Sequence, residues 1–421
     1  MLRHSPEATK RRRVLVSTIA PVIGGIPTMT RFVVRTLRAG GYEPVLAYYE
    51  PYSVTPRLSV PSFRLLRGRP GQEERREMDG CEAHAIGAWL PELEFTHYYA
   101  TEIWKRLIEQ SRFHVSVAGN ALAALPFHQT GQPFLAWVAA GWHDDRKDRT
   151  SHFLPVRKIL DTAVVGPIAR RLEVSILKSG SILSLSHYTR RILEGLLGGR
   201  PITGVLPMPI DTEFFSPEAD KRVPGRIGFS GRVDDPRKNV DLLLRALALV
   251  RSRRPGATAL LIGGEPDERL RRRIAELDLG GAVEFLPYQS TETLRGWLRT
   301  LDVLVVPSHQ EGLCIAALEA MACGCPVVST RCGGPEEFII DGETGTLVDS
   351  DPAQMADAIC AIIDDPHLRS RLMQGARNIV VSRYSPSKAR DIFWAGFNGL
   401  TSSAGGGPAH LMHGEVLSTR S

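Results

Sequence analysis

Apolar residues recur along this chain with two different periods. Val14-Leu-Val-Ser17 is a continuous apolar run of strand length, and a glycine-bearing turn, Ile23-Gly-Gly-Ile-Pro27, follows it. From Thr28 to Arg38 the apolar residues Met29, Phe32, Val33 and Leu37 fall at helical spacing, and Gly40-Gly41 closes the helix. Pro44-Val-Leu-Ala-Tyr-Tyr49 reads as the next strand. Strand, glycine turn, helix and strand in succession form the repeating unit of an open parallel sheet. The same order restarts at Arg226-Ile-Gly-Phe-Ser-Gly-Arg232. A helix follows over Asn239–Arg251 with Val240, Leu243, Leu244, Leu247 and Val250 on one face, then a break at Pro255-Gly256 and a strand at Ala259–Gly263. Later strands are predicted at Val283–Leu286, Val303–Val306 and Val327–Ser329, with helices between them.

Two such starts predict two doubly wound α/β domains in tandem, facing a cleft. The Pro- and Gly-rich stretch 198–225 holds the boundary, giving a first domain over 1–200 and a second over 201–384. The charged stretch 64–79 is expected as a surface excursion of the first domain. From Thr401 the sequence turns to Ser, Gly and Ala, so 401–421 is expected to be a mobile tail.

Composition narrows the class of protein. The 421 residues are 43% apolar and 23% charged, as in ordinary globular chains, and suffice for two or three domains. The net charge of +6 suits anionic small molecules or an anionic membrane surface as well as it suits nucleic acid. Arg3, Lys10, Arg11, Arg12 and Arg13 against Glu7 form a basic arm, read either as a solubilising tail or as a contact with anionic lipid. No aromatic stacking platform accompanies that charge, so nucleic acid is not expected as a partner. No apolar run reaches membrane-spanning length and no secretory h-region is readable. The six cysteines show no C-x-x-C pair and are expected as small buried thiols. The expected location is the cytoplasm, with peripheral contact at the inner face of a membrane left open.

The densest chemical signal is Pro307-Ser-His-Gln-Glu-Gly-Leu-Cys-Ile-Ala-Ala-Leu-Glu-Ala-Met-Ala-Cys-Gly324. A buried strand ends, a polar loop holds Glu311-Gly312, and a helix begins near Leu313. Ligands of open α/β sheets gather beyond the carboxyl ends of strands, where helix-start N–H groups suit phosphate. Glu319 lies inside that helix among Ala316, Ala317, Ala320 and Met321. A carboxylate there needs a hydroxyl or amide partner, either a ribose diol or backbone amides of a neighbouring loop.

The second signal is Ser230-Gly-Arg-Val-Asp-Asp-Pro-Arg-Lys-Asn239. Arg232 and Lys238 flank one loop and can both point into the cleft, as a departing diphosphate requires. Asn239 is expected as a helix cap. Asp349-Ser-Asp351 precedes Pro352 at a helix entry and reads as a turn and cap, so no metal is required. Neither a GxGxxG nor a Walker A loop occurs.

Together these segments resemble the retaining GT-B-fold glycosyltransferases of family 4. The resemblance rests on Glu311…Glu319, on Gly231-Arg232…Lys238, and on Gly333-Gly-Pro-Glu336 followed by Asp341-Gly-Glu-Thr-Gly345. It implies two Rossmann-like domains, with a last helix over 385–400 crossing back to the first. It also implies that Arg232 and Lys238 hold a donor diphosphate and that Glu319 holds the ribose. Glu311 and the amides of Gly312, Leu313 and Cys314 would meet the sugar or phosphates, and Gly24 and Gly25 would close on the donor from the first domain. Leu286-Pro-Tyr288 would cradle the base. Many relatives have a histidine just after the strand Pro133–Val138. Here the sequence is Ala139-Ala140-Gly141, with His143 and Asp144 beyond as acceptor-side candidates. The hinge-side Asn-Gly is replaced by Met208-Pro209.

The function so implied is transfer of a sugar from a nucleotide-diphosphate sugar to an acceptor hydroxyl with retention, in saccharide or glycoconjugate synthesis. Glu311, Arg232 and Lys238 carry the chemistry, and no cofactor is needed beyond the nucleotide-sugar co-substrate. The acceptor is a saccharide, a lipid-linked saccharide or a small molecule. A nucleotide-sugar epimerase and a non-catalytic nucleotide-sugar-binding protein are the alternatives.

Overall fold

The computed structural model describes residues 12–20, 25–67, 72–143, 155–218 and 221–403. The strands of the first half are β1 Arg13–Ile19, β2 Glu43–Tyr49, β3 Glu73–Met78, β4 Cys81–Ile86, β5 Phe113–Ala118, β6 Leu135–Val138, β7 Ser181–Ser184 and β8 Gly204–Val205. They form one sheet in the order β3-β4-β2-β1-β5-β6-β7-β8. The β3–β4 pairing is antiparallel and the others are parallel. Its helices are α1 Gly25–Ala39, α2 Glu102–Glu109, α3 Leu125–Gln129, α4 Pro155–Leu160, α5 Gly166–Ser179 and α6 His187–Leu196. A π-helical turn over Asp161–Val165 joins α4 to α5.

The second sheet runs β11-β10-β9-β12-β13-β14 and is parallel throughout. Its strands are β9 Arg226–Ser230, β10 Thr258–Ile262, β11 Val283–Leu286, β12 Val303–Val306, β13 Val327–Thr330 and β14 Thr346–Val348. The helices here are α7 Val240–Arg253, α8 Glu268–Glu276, α9 Thr291–Leu298, α10 Ile315–Ala322, α11 Pro352–Asp364, α12 Pro366–Arg383 and α13 Pro386–Ser403. The central strands β6 and β12 are buried along their whole length, which is why they read as unbroken apolar runs and not as alternation.

In each sheet the strand order reverses direction once near the middle, between β1 and β5 and between β9 and β12. The loops leaving those strand pairs diverge to opposite faces and leave a crevice at their carboxyl ends.

The two sheets are joined by packing as well as by chain. One apolar cluster runs from Val14 and Val16 through Trp137, Leu206, Met208 and Ile210 to Phe338 and Tyr384. At the substituted hinge, Met208 and Ile210 are buried, and the Ile210 N–H donates to the Tyr384 carbonyl at 2.9 Å. The last helix, α13, lies on the first sheet, where Phe393 and Phe397 meet Phe32 and Phe113 edge-on or tilted. Trp394 covers Gly40 so closely that a Cβ there would lie 2.5 Å from the indole.

Three expectations need correction. The charged stretch 64–79 is in part a strand: β3 pairs along the sheet edge with β4, which was not foreseen. Its charges are used in place, since the buried imidazole of His84 lies between Glu73 and Glu82, and Arg76 pairs with Glu50 at 3.0 Å. Charged side chains of this kind protect an edge strand from further pairing. Arg13 belongs to β1 and pairs with Glu82 at 2.7 Å, while Arg3, Lys10 and Arg11 lie outside the described residues, as do 404–421. The first sheet also takes its last strand from Gly204–Val205, beyond the expected boundary at 200.

Candidate active site between the two sheets

The loops that leave β9, β12 and β13 at the switch point form one hydrogen-bonded cluster. After β12 the chain turns at Ser308, whose hydroxyl donates to Glu311 Oε1 at 2.6 Å. The same carboxylate oxygen accepts from Lys238 Nζ at 2.7 Å. Backbone bonds tie the loops together: Glu311 N–H to the Cys332 carbonyl at 2.7 Å, Gly334 N–H to the Glu311 carbonyl at 2.9 Å, and His309 N–H to the Arg237 carbonyl at 2.8 Å. Gly333, at φ +104, is pressed between the Glu311 carbonyl and the Tyr188 ring, and a Cβ would lie 3.0 Å from each. A side chain there would be both strained and in collision.

Charge is concentrated at this cluster. Burial alone would lower the Lys238 ammonium, but the Glu311 carboxylate outweighs it and holds the lysine above its ordinary value. Arg232 is half exposed and pairs with Asp235, which also takes Arg237 at 2.9 Å. Burial pushes the Asp235 carboxyl up, yet the hydrogen bonds and charge of Arg237, with Arg232, hold it below the usual range. Asp235 thereby fixes the loop that presents both Arg232 and Lys238.

Asn239 does not cap α7 with its side chain. It adopts the left-handed conformation, φ +47, which Asn tolerates better than most residues.

Helix α10 begins at Ile315, two residues later than expected, because Cys314 turns left-handed at φ +70. Among the described residues, the backbone N–H groups of Gly312, Leu313 and Cys314 donate to no protein acceptor. Unused donors of this kind need an acceptor. One turn into α10, the Glu319 carboxylate makes no hydrogen bond or ion pair among the described residues, and burial raises it to about 7. Among the described residues, the bonds to a neighbouring loop that would explain it structurally are not made. Asp351 does cap α11, accepting from Ala353 N–H at 3.0 Å and Gln354 N–H at 2.8 Å.

Beside this cluster lies the end of β11. The Leu286 carbonyl accepts from Gly263 N–H at 2.9 Å and Gly264 N–H at 3.2 Å. Tyr288 is largely exposed, and burial raises its hydroxyl against the pull of Arg232 and Lys238 nearby.

From the first sheet, Gly25 opens α1 opposite Ile315, 3.3 Å from where its Cβ would stand. The Ala139 carbonyl, beyond β6, faces Gly312 at 3.0 Å measured in the same way, and accepts from Thr189 Oγ1 at 2.8 Å. Gly24 and Asp144 lie outside the described residues. His143 is exposed and lines a cavity of ≈ 840 Å³ with Trp142, Asp161, Arg170, Arg171 and Glu173. Its place is therefore the first-domain wall, not the Lys238–Glu311 cluster.

Sequence reading missed Ser308, Tyr188, Thr189 and the arginine pair of α5. Ser186-His-Tyr-Thr189 after an apolar strand is a legible helix start, with Ser186 Oγ accepting from Thr189 N–H at 3.0 Å. Nothing local marks Arg170 and Arg171.

Residues 224–365 match the family described as glycosyl transferases group 1. Over 227 residues the chain is 36% identical to the D-inositol 3-phosphate glycosyltransferase of Acidothermus cellulolyticus, covering 48% of this chain and 50% of that protein. It is 33% identical over 219 residues to the GDP-mannose-dependent alpha-(1-6)-phosphatidylinositol monomannoside mannosyltransferase of Mycolicibacterium smegmatis, covering 48% and 57% of the two chains. The matched region thus spans about half the length of these relatives.

Whole-chain likeness is a matter of fold. Sucrose-phosphate synthase from Thermosynechococcus elongatus superposes with a TM-score of 0.71 at 20% identity, over 93% of this chain and 100% of that one. Anabaena HepE in complex with UDP does so at 0.68 and 15%, again over 93% and 100%. The match to the glycosyl transferases group 1 family thus lies in the second half of the chain, over residues 224–365, and as a whole the chain has the two-sheet GT-B fold.

Proposed function

We propose that this protein is a glycosyltransferase that moves a sugar from a nucleotide-diphosphate sugar to an acceptor hydroxyl, with retention at the anomeric carbon. The observation that carries this reading is the convergence, at one switch point, of the Lys238–Glu311 pair, Arg232, three backbone donors without an acceptor among the described residues and a half-buried Glu319 carboxylate. A nucleotide diphosphate supplies what each group lacks. The ribose hydroxyls donate to Glu319, the sugar or phosphate oxygens accept from the N–H groups of Gly312, Leu313 and Cys314, and the diphosphate meets Arg232 and Lys238. Tyr288 and Leu286 flank the base.

In this reading the sugar–phosphate bond breaks with the electron pair passing to the diphosphate, whose growing charge is met by Arg232 and Lys238. The acceptor oxygen approaches from the face that the phosphate leaves, forms the new bond and passes its proton to the departing diphosphate oxygen. Glu311 holds Lys238 in place and offers its remaining carboxylate oxygen to the sugar. The acceptor is drawn from the first-domain cavity, where Arg170 and Arg171 suit an anionic group. An inositol phosphate, as the name of the Acidothermus relative carries, has that chemistry and supports this acceptor class, in glycoconjugate synthesis.

A thermal-shift panel of UDP-, GDP- and ADP-sugars on the wild type and on Lys238→Ala tests the donor site. One nucleotide series is expected to raise the wild-type melting temperature and to lose that effect in the variant. Equal shifts in both proteins would sink the assignment of Lys238. Product analysis with and without inositol phosphate then separates transfer from epimerisation.

A further inference from the structure

Three segments far apart in sequence meet on the outer surface of the first domain. The 3-10 turn Ser62–Arg67 is held to the loop after Trp89 by Glu92, whose Oε1 accepts from Ser62 N–H at 3.0 Å and from Ser62 Oγ at 3.1 Å. The backbone carbonyl of the same Glu92 accepts from Arg157 Nη2, on α4, at 2.7 Å. Val60 and Trp89 are bridged in parallel beneath them. Around this junction stand large apolar side chains that no packing explains: Phe63 is 72% and Ile159 is 69% exposed, with Leu65, Trp89, Leu160 and Val164 also exposed.

Monomeric surfaces seldom gather so many large apolar groups without a use for them. Basic residues are interleaved with them. Arg64 lies over the Phe63 ring at 5.6 Å, and Arg157 and Lys158 sit on the turn that carries Ile159. Among the described residues of these segments, the Glu92 carboxylate accepts from Ser62 N–H and Oγ, and Asp161 is buried.

We propose that this face docks on an anionic lipid bilayer, with Phe63, Leu65, Trp89 and Ile159 entering the interfacial region and Arg64, Arg157 and Lys158 meeting lipid phosphates. Interleaved apolar and cationic groups match that surface, whose headgroups are anionic and whose acyl boundary is apolar. The π-helical turn after α4 leads directly into the wall of the first-domain cavity, so docking sets that cavity beside the bilayer. The proposal does not depend on the reading of the cleft.

Sedimentation of the full chain with vesicles tests it, comparing phosphatidylcholine alone with an equal mixture of phosphatidylcholine and phosphatidylglycerol. Binding is expected to the mixed vesicles and to fall with added salt. Arg64→Gln/Lys158→Gln is expected to lower partitioning about fivefold for each basic side chain removed. Phe63→Ser/Ile159→Ser is expected to lower it at least as far, with the melting temperature and any nucleotide shift unchanged because both residues are exposed. A control pair on the second domain, Arg269→Gln/Arg272→Gln, removes the same charge and is expected to bind as the wild type. Failure of the wild type to bind mixed vesicles, or an equal loss in the control pair, would overturn the proposal. So would wild-type dimers in light scattering that Phe63→Ser/Ile159→Ser converts to monomers while vesicle binding is unaffected.

Discussion

The loops beyond β12 and β13 and the loop beyond β6 occupy equivalent places, each at the carboxyl end of its sheet, yet they are built on different terms. The second-domain loops are bonded to one another through Glu311, Cys332, Gly334 and Arg237, and their charges are already paired as Lys238–Glu311 and Arg232–Asp235. The first-domain side is a cavity walled by a π-helical turn and exposed arginines. A site that must stabilise charge gains from fixed dipoles, because they need no rearrangement as charge develops. A site that must admit an acceptor gains from room. On the proposed function the second-domain loops are the donor half, with its bonds already made, and perturbing it is expected to cost far more than perturbing the other half.

The largest effect is expected at Glu311. Glu311→Ala removes the acceptor that holds both Lys238 and Ser308, and transfer is expected to fall by about 100-fold or more, read as kcat with the donor KM changed little. An unchanged kcat would remove Glu311 from the machinery.

Glu319 gives a pH signature. Its folded value, about 7, lies above the unfolded 4.5, so the folded state holds its proton more tightly. Stability from this residue is full below about 4.5 and is lost as pH rises toward 7, by up to about 3 kcal/mol. Glu319→Gln is expected to flatten that slope in denaturant titrations at several pH values, and to weaken nucleotide binding. A slope that persists in the variant would place its origin elsewhere.

Lys238→Ala leaves the buried Glu311 carboxylate without its cation, and a loss of about 2 kcal/mol in urea unfolding is expected. The double variant Lys238→Ala/Glu311→Gln should regain most of that stability and none of the activity. The smallest effect tests the open half: Arg170→Ala/Arg171→Ala is expected to raise the acceptor KM about tenfold while stability stays within about 0.5 kcal/mol. A matching loss in donor affinity would show that the two halves are not separable in this way.

Much of the donor half could be read without coordinates. Arg232, Lys238, Glu311 and Glu319 lie in two short segments whose strand–loop–helix context is local, and the structure brings the first three to one cluster. The left-handed turns at Asn239 and Cys314 were less legible, since neither residue type demands that conformation. Strand β3 was hidden because its residues are charged. The edge of a sheet buries only part of each side chain, so apolar periodicity is weak there. In the first domain, the acceptor-side candidate His143 lines the cavity, while Arg170 and Arg171 beside it had no local mark.

The sequence by itself determined the alternation of strand and helix, the restart that makes two sheets, and the residue types of the donor loops. These follow from periodicity and from backbone preferences, which act over a few residues. Only the tertiary structure decided that Lys238 pairs with Glu311, that Glu319 is left half-buried with no partner among the described residues, and that Ser62, Glu92 and Arg157 join three segments into one exposed apolar and basic face. Those outcomes depend on which groups lose water together. Desolvation is a property of the packed whole, and no stretch of the chain encodes it alone.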